Sequence, residues 1–230
     1  MEWKYTKENP LRVFEAFAGY GSQAMALRNI GIPYTVVGIS EIDKYAIAAY
    51  NAVHGPTTNY GDISKIEWGG VPNFDLFTYS FPCTDLSNAG KQAGVAEGSG
   101  TRSSLLWECR KAVIAKRPKY LLMENVKALV SEKFLPFFHK WCAELESYGY
   151  NNFCEVLNAK DYGIPQNRER IFVVSILGDE WYNFPQKQEL KLRLKDMLEE
   201  NVDEKYYLPQ DKVDKFISQM SDESRAKLEQ

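Results

Sequence analysis

The sequence has few of the residues that build metal sites, and it has no segment that targets a membrane. Its 230 residues include two histidines and four cysteines. The cysteines, Cys83, Cys109, Cys142 and Cys154, form no Cys-x-x-Cys pair, so a structural zinc site lacks ligands at suitable spacing. No apolar run is long enough to span a bilayer, and the N-terminal MEWKYTKENP lacks the basic start and apolar core of a signal peptide. We expect no metal, no membrane association and a cytoplasmic location with reduced thiols.

An excess of positive charge is also missing. The formal net charge is −3 and the sequence pI is about 5.6, the wrong sign for a domain that holds nucleic acid by broad neutralisation of phosphates. If nucleic acid is the substrate, most of the surface that grips it must lie elsewhere. The length and the 44% hydrophobic content allow one well-buried domain but not two full-sized ones. We predict one main domain over residues 1–180 and a polar, partly helical connector over 181–230.

Short apolar runs alternate with longer amphipathic stretches, which is typical of βαβ units. The pattern predicts an α/β fold with a doubly wound, mainly parallel sheet. We predict strands at 11–17, 35–40, 76–79, 120–123, 152–157 and 170–176, and helices at 22–30, 44–54, 105–116 and 135–148. The segment 85–104 has no periodicity and is long for a loop in a compact domain, which indicates a functional or disordered segment. Helical character is expected again in 190–202 and 210–230.

A glycine-rich turn and two acidic residues predict a nucleoside pocket. Phe17-Ala18-Gly19-Tyr20-Gly21-Ser22 stands where the first strand turns into the first helix, and its glycines allow the backbone to approach a ligand closely. Glu41 follows the second strand, and Asp62 lies where a further strand is expected to end. Such carboxylates can accept ribose hydroxyls and an exocyclic amine. Without a complete GxGxxG, the pocket favours S-adenosylmethionine over a dinucleotide. A ligand-free turn and solvated loop carboxylates remain the alternatives.

A cysteine follows the third predicted strand, in Ser80-Phe81-Pro82-Cys83. Behind a proline that restricts the backbone, Cys83 is held at the edge where sheets of this kind bind ligands. Its thiolate is a candidate nucleophile. The alternative, a buried structural cysteine, is the better interpretation for Cys109, Cys142 and Cys154.

Two further motifs offer an acid and two cations. Glu124, in Met123-Glu124-Asn125-Val126, emerges from apolar surroundings at the end of the fourth strand, so it could donate a proton, and Asn125 could fix the backbone beside it. Arg168 and Arg170 are two apart at the start of the last strand and so point to one face. A simple turn and an exposed basic strand end are the alternatives.

Methylation of a cytosine at carbon 5 needs all of these groups. A thiolate that adds to carbon 6 makes the ring enamine-like. The addition is easier when a carboxylic acid protonates ring nitrogen 3 and a cation contacts the carbonyl oxygen. Cys83, Glu124 and Arg170 match these needs, and the nucleoside pocket can present a sulfonium methyl. The base must leave the duplex to react, for which a mobile 85–104 loop is suited.

The order FAGYG, SEID, GDI, FPC, ENV and QNRER within residues 11–176 resembles the DNA (cytosine-5) methyltransferase family. The resemblance implies a Rossmann-like, S-adenosylmethionine-dependent bacterial or phage enzyme that methylates flipped-out cytosine in double-stranded DNA through a covalent Cys83 intermediate. It implies catalysis by Cys83, Glu124, Arg168 and Arg170. The implied cofactor contacts are Phe17, Gly19, Gly21, Glu41, Ile42, Asp62, Ile63, Pro82 and Leu105. The implied DNA contacts are Ser87, Lys91, Gln92, Asn125 and Arg168.

The sequence departs from the family pattern in three ways. Thr84 replaces the glutamine that commonly follows the catalytic cysteine, and Ile42 replaces an aromatic residue that often stacks on the adenine, so weaker cofactor stacking is expected. After residue 176 we find no convincing target-recognition region and no closing Asn-containing motif. We therefore expect one subunit of a split enzyme, with a second polypeptide carrying the recognition region, or a segment of a longer enzyme. Alone, the chain is expected to bind DNA weakly and to show little activity.

Three other functions compete with DNA methylation. Relatives with the same catalytic layout methylate a cytosine in transfer RNA. A catalytically silent regulatory partner is a second alternative, which the joint presence of Cys83, Glu124 and Arg170 opposes. A nicotinamide-dependent oxidoreductase is the third, which the incomplete glycine fingerprint and the otherwise unused cysteine oppose.

Overall fold

A mixed six-stranded sheet forms the centre of the fold. The computed structural model describes residues 4–83, 96–222 and 224. The sheet order is β2-β1-β3-β4-β6-β5, in which β1 to β4 pair in parallel and β6 is antiparallel to both of its neighbours. Every strand but β6 therefore runs in one direction, which confirms the predicted mainly parallel α/β fold. The strands are β1 Leu11–Ala16, β2 Tyr34–Ser40, β3 Leu76–Tyr79, β4 Tyr120–Val126, β5 Tyr150–Asn158 and β6 Glu169–Leu177.

Side-chain caps start several of the helical segments. Asp43 caps the second helix by accepting hydrogen bonds from the backbone N–H groups of Tyr45 and Ala46. The predicted helix at 105–116 starts earlier, as a 3-10 helix over Arg102–Glu108 whose cap is Thr101. The α-helices are α1 Ser22–Asn29, α2 Lys44–His54, α3 Cys109–Lys116, α4 Leu135–Ser147 and α5 Gln210–Ser218.

Helices cover both faces of the sheet. Phe14 of β1 belongs to an aromatic-rich buried cluster that also contains Trp141 of α4 and residues of α3. The next residue, Glu15, accepts hydrogen bonds from the N–H of Ala24 in α1 and the hydroxyl of Tyr50 in α2. Because successive side chains of a strand point to opposite faces, α1 and α2 lie across the sheet from α3 and α4. This is the doubly wound arrangement.

The reversed direction of β6 determines where its first residues lie. In the β4–β6 register, Glu124 stands opposite Phe172 and Val126 stands opposite Arg170. The amino end of β6 is therefore beside the carboxyl ends of the parallel strands. Open α/β sheets bind their ligands at that edge, so the reversal places Arg168 and Arg170 there. The apolar pattern of 170–176 is the same for either direction, and the sequence did not reveal it.

The chain divides into two compact units, residues 1–190 and 191–230. The second unit contains two 3-10 helices, Leu194–Met197 and Glu204–Tyr206, and α5, and none of these elements has a buried residue. The helical character expected over 190–202 is thus limited to one 3-10 turn. In the part of the chain that is described, none of the helices is long and apolar enough to cross a membrane. The same residues contain no cluster of three or more His, Cys, Asp or Glu that could hold a metal ion.

Candidate active site

One row of residues runs along the edge of the sheet at which the parallel strands end. The strand register aligns four residues, one from each of β2, β1, β3 and β4: Ser40, Ala16, Tyr79 and Met123. The next residues along the chain are, in the same order, Glu41, Phe17, Ser80 and Glu124. Adjacent strands are about 4.8 Å apart, so the row extends about 14 Å from Glu41 to Glu124. Residues from four separate motifs therefore meet at one edge, with the segment that leads to Cys83 between the other groups.

The glycine-rich turn after β1 is strained, and side chains from other segments hold it in place. Phe17, Gly19 and Gly21 have φ angles of 55°, 56° and 84°, in the left-handed region that is costly for phenylalanine. The N–H of Gly19 donates to Oε2 of Glu41 at 2.9 Å, and Nε2 of His54 lies 3.1 Å from the carbonyl oxygen of Tyr20. The sequence predicted the sharp turn correctly, but it did not indicate that Phe17 is left-handed.

Gly21 packs against α2. It lines neither of the two cavities at this edge of the sheet. A Cβ on Gly21 would stand 2.3 Å from Nε2 of His54 and 2.7 Å from a ring carbon of Tyr50. The close packing against α2, as well as the positive φ angle, therefore explains why this position is a glycine. Its predicted cofactor contact remains a prediction.

The replacement Gly21→Ala is expected to destabilise the fold more than Gly31→Ala. Both glycines have positive φ, but a Cβ on Gly31 meets nothing within 4 Å. Gly31→Ala should therefore lower the free energy of unfolding by about 1–2 kcal/mol, the cost of a left-handed alanine, and Gly21→Ala by clearly more. Urea unfolding of both variants measures the difference. Equal losses would contradict the packing of the turn against His54.

A cavity of about 170 Å³ lies at the ends of β1 and β2. Seven of the nine predicted cofactor contacts line it: Phe17, Glu41, Ile42, Asp62, Ile63, Pro82 and Leu105. Gly19 lines instead a second, larger cavity of about 800 Å³ between α1 and the sheet. Arg102 also lines the smaller cavity. The sequence did not indicate this residue, because it lies in the non-periodic segment 85–104.

Glu41 and Asp62, two of the three acidic residues that line this cavity, are held by backbone and side-chain donors. Oε1 of Glu41 accepts from the N–H groups of Ile42 and Asp43 at 2.8 and 2.9 Å. Oδ1 of Asp62 accepts from the hydroxyl and the N–H of Ser64 at 2.8 and 3.0 Å. These hydrogen bonds, the one from the Ser64 hydroxyl first, lower the pKa of Asp62. Both side chains are thus oriented acceptors that retain lone pairs for a ligand.

The sequence suggested that Asp62 stands at the end of a strand, but Asp62 does not follow a strand. It caps a 3-10 helix over Ile63–Lys65, and its loop joins the sheet through a single bridge between Ile39 and Asn59. Asn59 Oδ1 accepts from the N–H of Glu41 at 3.1 Å, and its Nδ2 donates to the Glu41 carbonyl at 2.9 Å. Asn59, which sequence analysis missed, therefore ties the two acidic loops together.

The segment that leads to Cys83 is fixed at two consecutive carbonyl groups. Nδ2 of Asn125 donates to the carbonyl oxygen of Phe81 at 2.9 Å, and the hydroxyl of Ser103 donates to that of Pro82 at 2.7 Å. Cys83 is a half-buried free thiol. Ser80 lines the larger cavity and Pro82 the smaller one, whereas Cys83 is not among the described residues that line either.

Asn125 holds the Cys83 segment and does not face DNA. It is only 2% exposed, its Nδ2 is bonded to Phe81, and its Oδ1 accepts from the N–H of Val126 at 2.8 Å. The predicted DNA contact is therefore wrong, because a buried amide with both ends bonded has no free surface for a nucleotide. The other predicted DNA contacts in this region, Ser87, Lys91 and Gln92, lie outside the described residues, as does Thr84.

Glu124 forms ion pairs with both predicted arginines. Its Oε1 lies 3.1 Å from Nε of Arg170 and 3.8 Å from Nη2 of Arg168. The sequence predicted apolar surroundings for this carboxyl. That expectation is wrong because the antiparallel β6 brings two guanidinium groups to the end of β4. Glu124 and Arg168 line a cavity of about 800 Å³ between α1 and the sheet, together with Gln166 and Phe172.

A buried carboxyl group on β1 binds the first turn of the helix that follows the glycine-rich turn. Glu15 is fully buried, and its burial raises its pKa, although the hydrogen bonds from Tyr50 and from the Ala24 N–H oppose that shift. Because Ala24 is in the first turn of α1, Glu15 satisfies a backbone donor that the helix itself leaves unpaired. The sequence did not indicate this role for Glu15, because an acidic residue in a strand normally faces water.

Comparisons with known proteins show the family of this chain. The family model described as C-5 cytosine-specific DNA methylase matches residues 11–229. The type II methyltransferase M2.ScrFI of Lactococcus lactis subsp. cremoris is 44% identical over 88% of this chain and 71% of its own length. The orphan methyltransferase M.SPRI of Bacillus phage SPR is 36% identical over 92% of this chain, which spans 55% of that relative.

Solved structures show the same fold at low identity. The Dnmt2 methyltransferase of S. pombe superposes with a TM-score of 0.71 at 23% identity, covering 92% of this chain and 67% of that one. The methyltransferase EhMeth of Entamoeba histolytica has a TM-score of 0.73 at 22% identity, covering 88% and 64%. With the fold, the row of site residues and the match of the family model taken together, the chain belongs to the C-5 cytosine-specific DNA methylase family.

Proposed function

We propose that this chain transfers a methyl group from S-adenosylmethionine to carbon 5 of a cytosine in DNA, through a covalent bond between Cys83 and the base. The order of groups along the sheet edge carries the proposal. The acidic cavity lies at β1 and β2, the Glu124–Arg168–Arg170 group lies at β4 and β6, and the Cys83 segment leaves β3 between them. A methyl donor and a base bound on either side would meet at the nucleophile.

The cavity at β1 and β2 fits the nucleoside part of S-adenosylmethionine. Glu41 and Asp62 offer oriented carboxylate acceptors for ribose hydroxyls and an exocyclic amine, and Phe17, Ile63 and Leu105 supply apolar walls. Ile42 is 68% exposed, so an aliphatic side chain is available to cover the adenine where relatives of the family often use an aromatic ring. When bound, this cofactor supplies an electrophilic methyl group on a sulfonium.

The remaining residues have distinct tasks in the proposed reaction. The Cys83 thiolate adds to carbon 6 of the cytosine, and the displaced electron pair makes carbon 5 nucleophilic. Glu124 holds a proton at ring nitrogen 3, and a neighbouring arginine contacts the carbonyl oxygen. After carbon 5 is methylated, its hydrogen leaves as a proton and the sulfur departs. Carbon 6 is inaccessible in a stacked duplex, so the base must be flipped into the cavity.

We propose that most of the DNA-binding surface comes from a target-recognition region outside this chain. A net charge of −3 does not support broad phosphate neutralisation. Adding a polypeptide that carries such a region should raise methyl transfer from a low level. If methyl transfer does not rise, a recognition region in trans is not what the chain needs. The relatives named above come from a bacterium and a phage. We propose a cytoplasmic setting for this chain.

The replacement Glu41→Gln is expected to weaken binding of S-adenosylmethionine about 10- to 100-fold, because it replaces a charged hydrogen-bond acceptor by a neutral one. Isothermal titration of the cofactor into the chain measures the effect. Glu67→Gln is the matched control, since Glu67 is exposed and lies outside both cavities. Unchanged affinity in Glu41→Gln would remove Glu41 from the proposed cofactor site.

The nature of the substrate is tested by offering duplex DNA and RNA side by side with radiolabelled S-adenosylmethionine. We expect the label on DNA, at carbon 5 of cytosine. Label on transfer RNA alone would replace the proposal by the RNA alternative. Cofactor binding without transfer to either substrate, in the presence of the recognition region, would favour the silent regulatory partner.

A further inference from the structure

Two cysteines outside the active site lie on a helix and a strand that pack against each other. Cys142 lies on α4 and is half-buried, and Cys154 lies on the edge strand β5 and is exposed. Asn152 and Cys154 are two residues apart on β5 and so share a face. Nδ2 of Asn152 donates to the carbonyl oxygen of Cys142 at 3.0 Å and lies 3.3 Å from Oε1 of Glu146, so this face is directed at α4. Val156, two residues further along this face of β5, packs against the same buried cluster as Cys142, so Cys154 stands on the face of the strand that carries α4.

The two sulfur atoms have different roles. Interaction with the Cys142 thiol lowers the pKa of Cys154, and interaction with Cys154 raises the pKa of Cys142. Burial and the carboxylate of Glu146 oppose the shift at Cys154. The exposed sulfur therefore has the greater thiolate character, and its half-buried neighbour keeps its proton. An accessible thiolate beside a second thiol is the arrangement of a reactive redox pair.

We propose that Cys142 and Cys154 form a redox modification site that reacts with small disulfides such as oxidised glutathione. The Cys154 thiolate attacks one sulfur of the small disulfide, forms a mixed disulfide and releases one small thiolate. Cys142 then loses its proton, attacks the Cys154 sulfur and expels the second small thiolate. Two protein thiols are oxidised to one disulfide, and one small disulfide is reduced to two thiols.

The new bond would join the edge strand to the helix that covers it. Neither cysteine lines either of the two cavities, so oxidation is expected to stabilise the fold and not to block the active site. Closing the short loop from 142 to 154 restricts the unfolded chain. The midpoint of thermal unfolding should rise by roughly 5–10 °C and return to its starting value on reduction.

The experiment uses the full chain carrying Cys83→Ser, so that the proposed nucleophile does not react. After incubation with oxidised glutathione, trypsin leaves both cysteines in the peptide 141–160, which has no internal lysine or arginine. We expect this peptide to lose two hydrogen atoms and to carry no glutathione. Cleavage after Glu144 and Glu146 should then give fragments that stay joined until they are reduced. With Cys142→Ser added, Cys154 should retain one glutathione.

A second probe tests the contact without oxidation. Phenylarsine oxide binds two neighbouring thiols at once, so one arsenical should bind the chain, and either Cys142→Ser or Cys154→Ser should abolish that binding. Cys109 is fully buried and serves as the internal control for an intact fold. A glutathione that persists on Cys154 while Cys142 is present, or a chain that binds no arsenical, would overturn the proposal.

Discussion

Replacing Cys83 by serine is expected to reduce methyl transfer by more than about 1,000-fold, because the covalent route to an activated carbon 5 is lost. A serine hydroxyl is a far weaker nucleophile than a thiolate, because it loses its proton only at much higher pH. The expected loss lies in the chemical step, so the affinity for S-adenosylmethionine should stay within about twofold of the starting chain. Single-turnover methyl transfer to cytosine-containing DNA, with cofactor in excess, measures the rate.

The matched control for Cys83→Ser is Cys154→Ser. Cys154 is also an accessible cysteine of the chain, but it lies on β5 and lines neither cavity. The control should retain the full rate. Substantial methyl transfer by the Cys83→Ser chain would show that the sulfur is dispensable, and the proposed chemistry would then be wrong.

Replacing Glu124 by glutamine is expected to lower the rate of methyl transfer by about 100- to 10,000-fold, the usual contribution of a positioned acid or base. Glutamine is close to glutamate in size, so it can still contact Arg170, but it cannot deliver a proton to ring nitrogen 3. Because Glu124 lies at the β4 end of the row and the acidic cavity lies at β1 and β2, cofactor binding should be unchanged.

Glu169→Gln is the control for this carboxylate. Glu169 opens β6 and forms an ion pair with Lys127 at 3.1 Å, but both side chains are about half exposed and neither lines the larger cavity. Loss of such a surface pair costs little, so the rate should hardly change. If Glu124→Gln weakened cofactor binding as much as it slowed the reaction, Glu124 would be a structural residue and not the acid at the base.

The local parts of the site could be predicted from the sequence. Gly19 and Gly21 indicated a sharp turn, and both adopt positive φ. The apolar runs located every strand, and β3 and α2 have the predicted bounds. Pro82 before Cys83 indicated a restricted backbone, which the hydrogen bonds to the carbonyl groups of Phe81 and Pro82 support. In each of these cases the information lies within a few neighbouring residues.

The features that could not be predicted depend on contacts between distant segments. The direction of β6 is set by its pairing with β4 and β5, and it decides that Glu124 meets Arg168 and Arg170. The position of Asp62 depends on Asn59 bridging to β2, and the burial of Glu15 depends on Tyr50. Hydrophobic periodicity indicates which faces of an element are buried. It does not indicate which other strand or side chain that element contacts.

Asn125 shows how such contacts reverse an interpretation. The resemblance to the DNA (cytosine-5) methyltransferases implied a DNA contact for Asn125, which stands beside Glu124 in the ENV motif. Successive residues of a strand point to opposite faces, so Asn125 turns inward and binds the carbonyl oxygen of Phe81. The sequence also allowed a backbone-fixing role for this amide, and that is the role the structure shows.

Trapping with 5-fluorocytosine tests the central claim most directly, because fluorine at carbon 5 cannot leave as a proton does and the covalent intermediate persists. The chain is incubated with S-adenosylmethionine, the recognition region and a duplex carrying 5-fluorocytosine, and the adduct is mapped after trypsin. We predict that the DNA is bonded to peptide 66–91, whose only cysteine is Cys83, and that Cys83→Ser gives no adduct. Methylation of ordinary DNA under the same conditions without an adduct at Cys83, or with the adduct on another residue, would contradict the account.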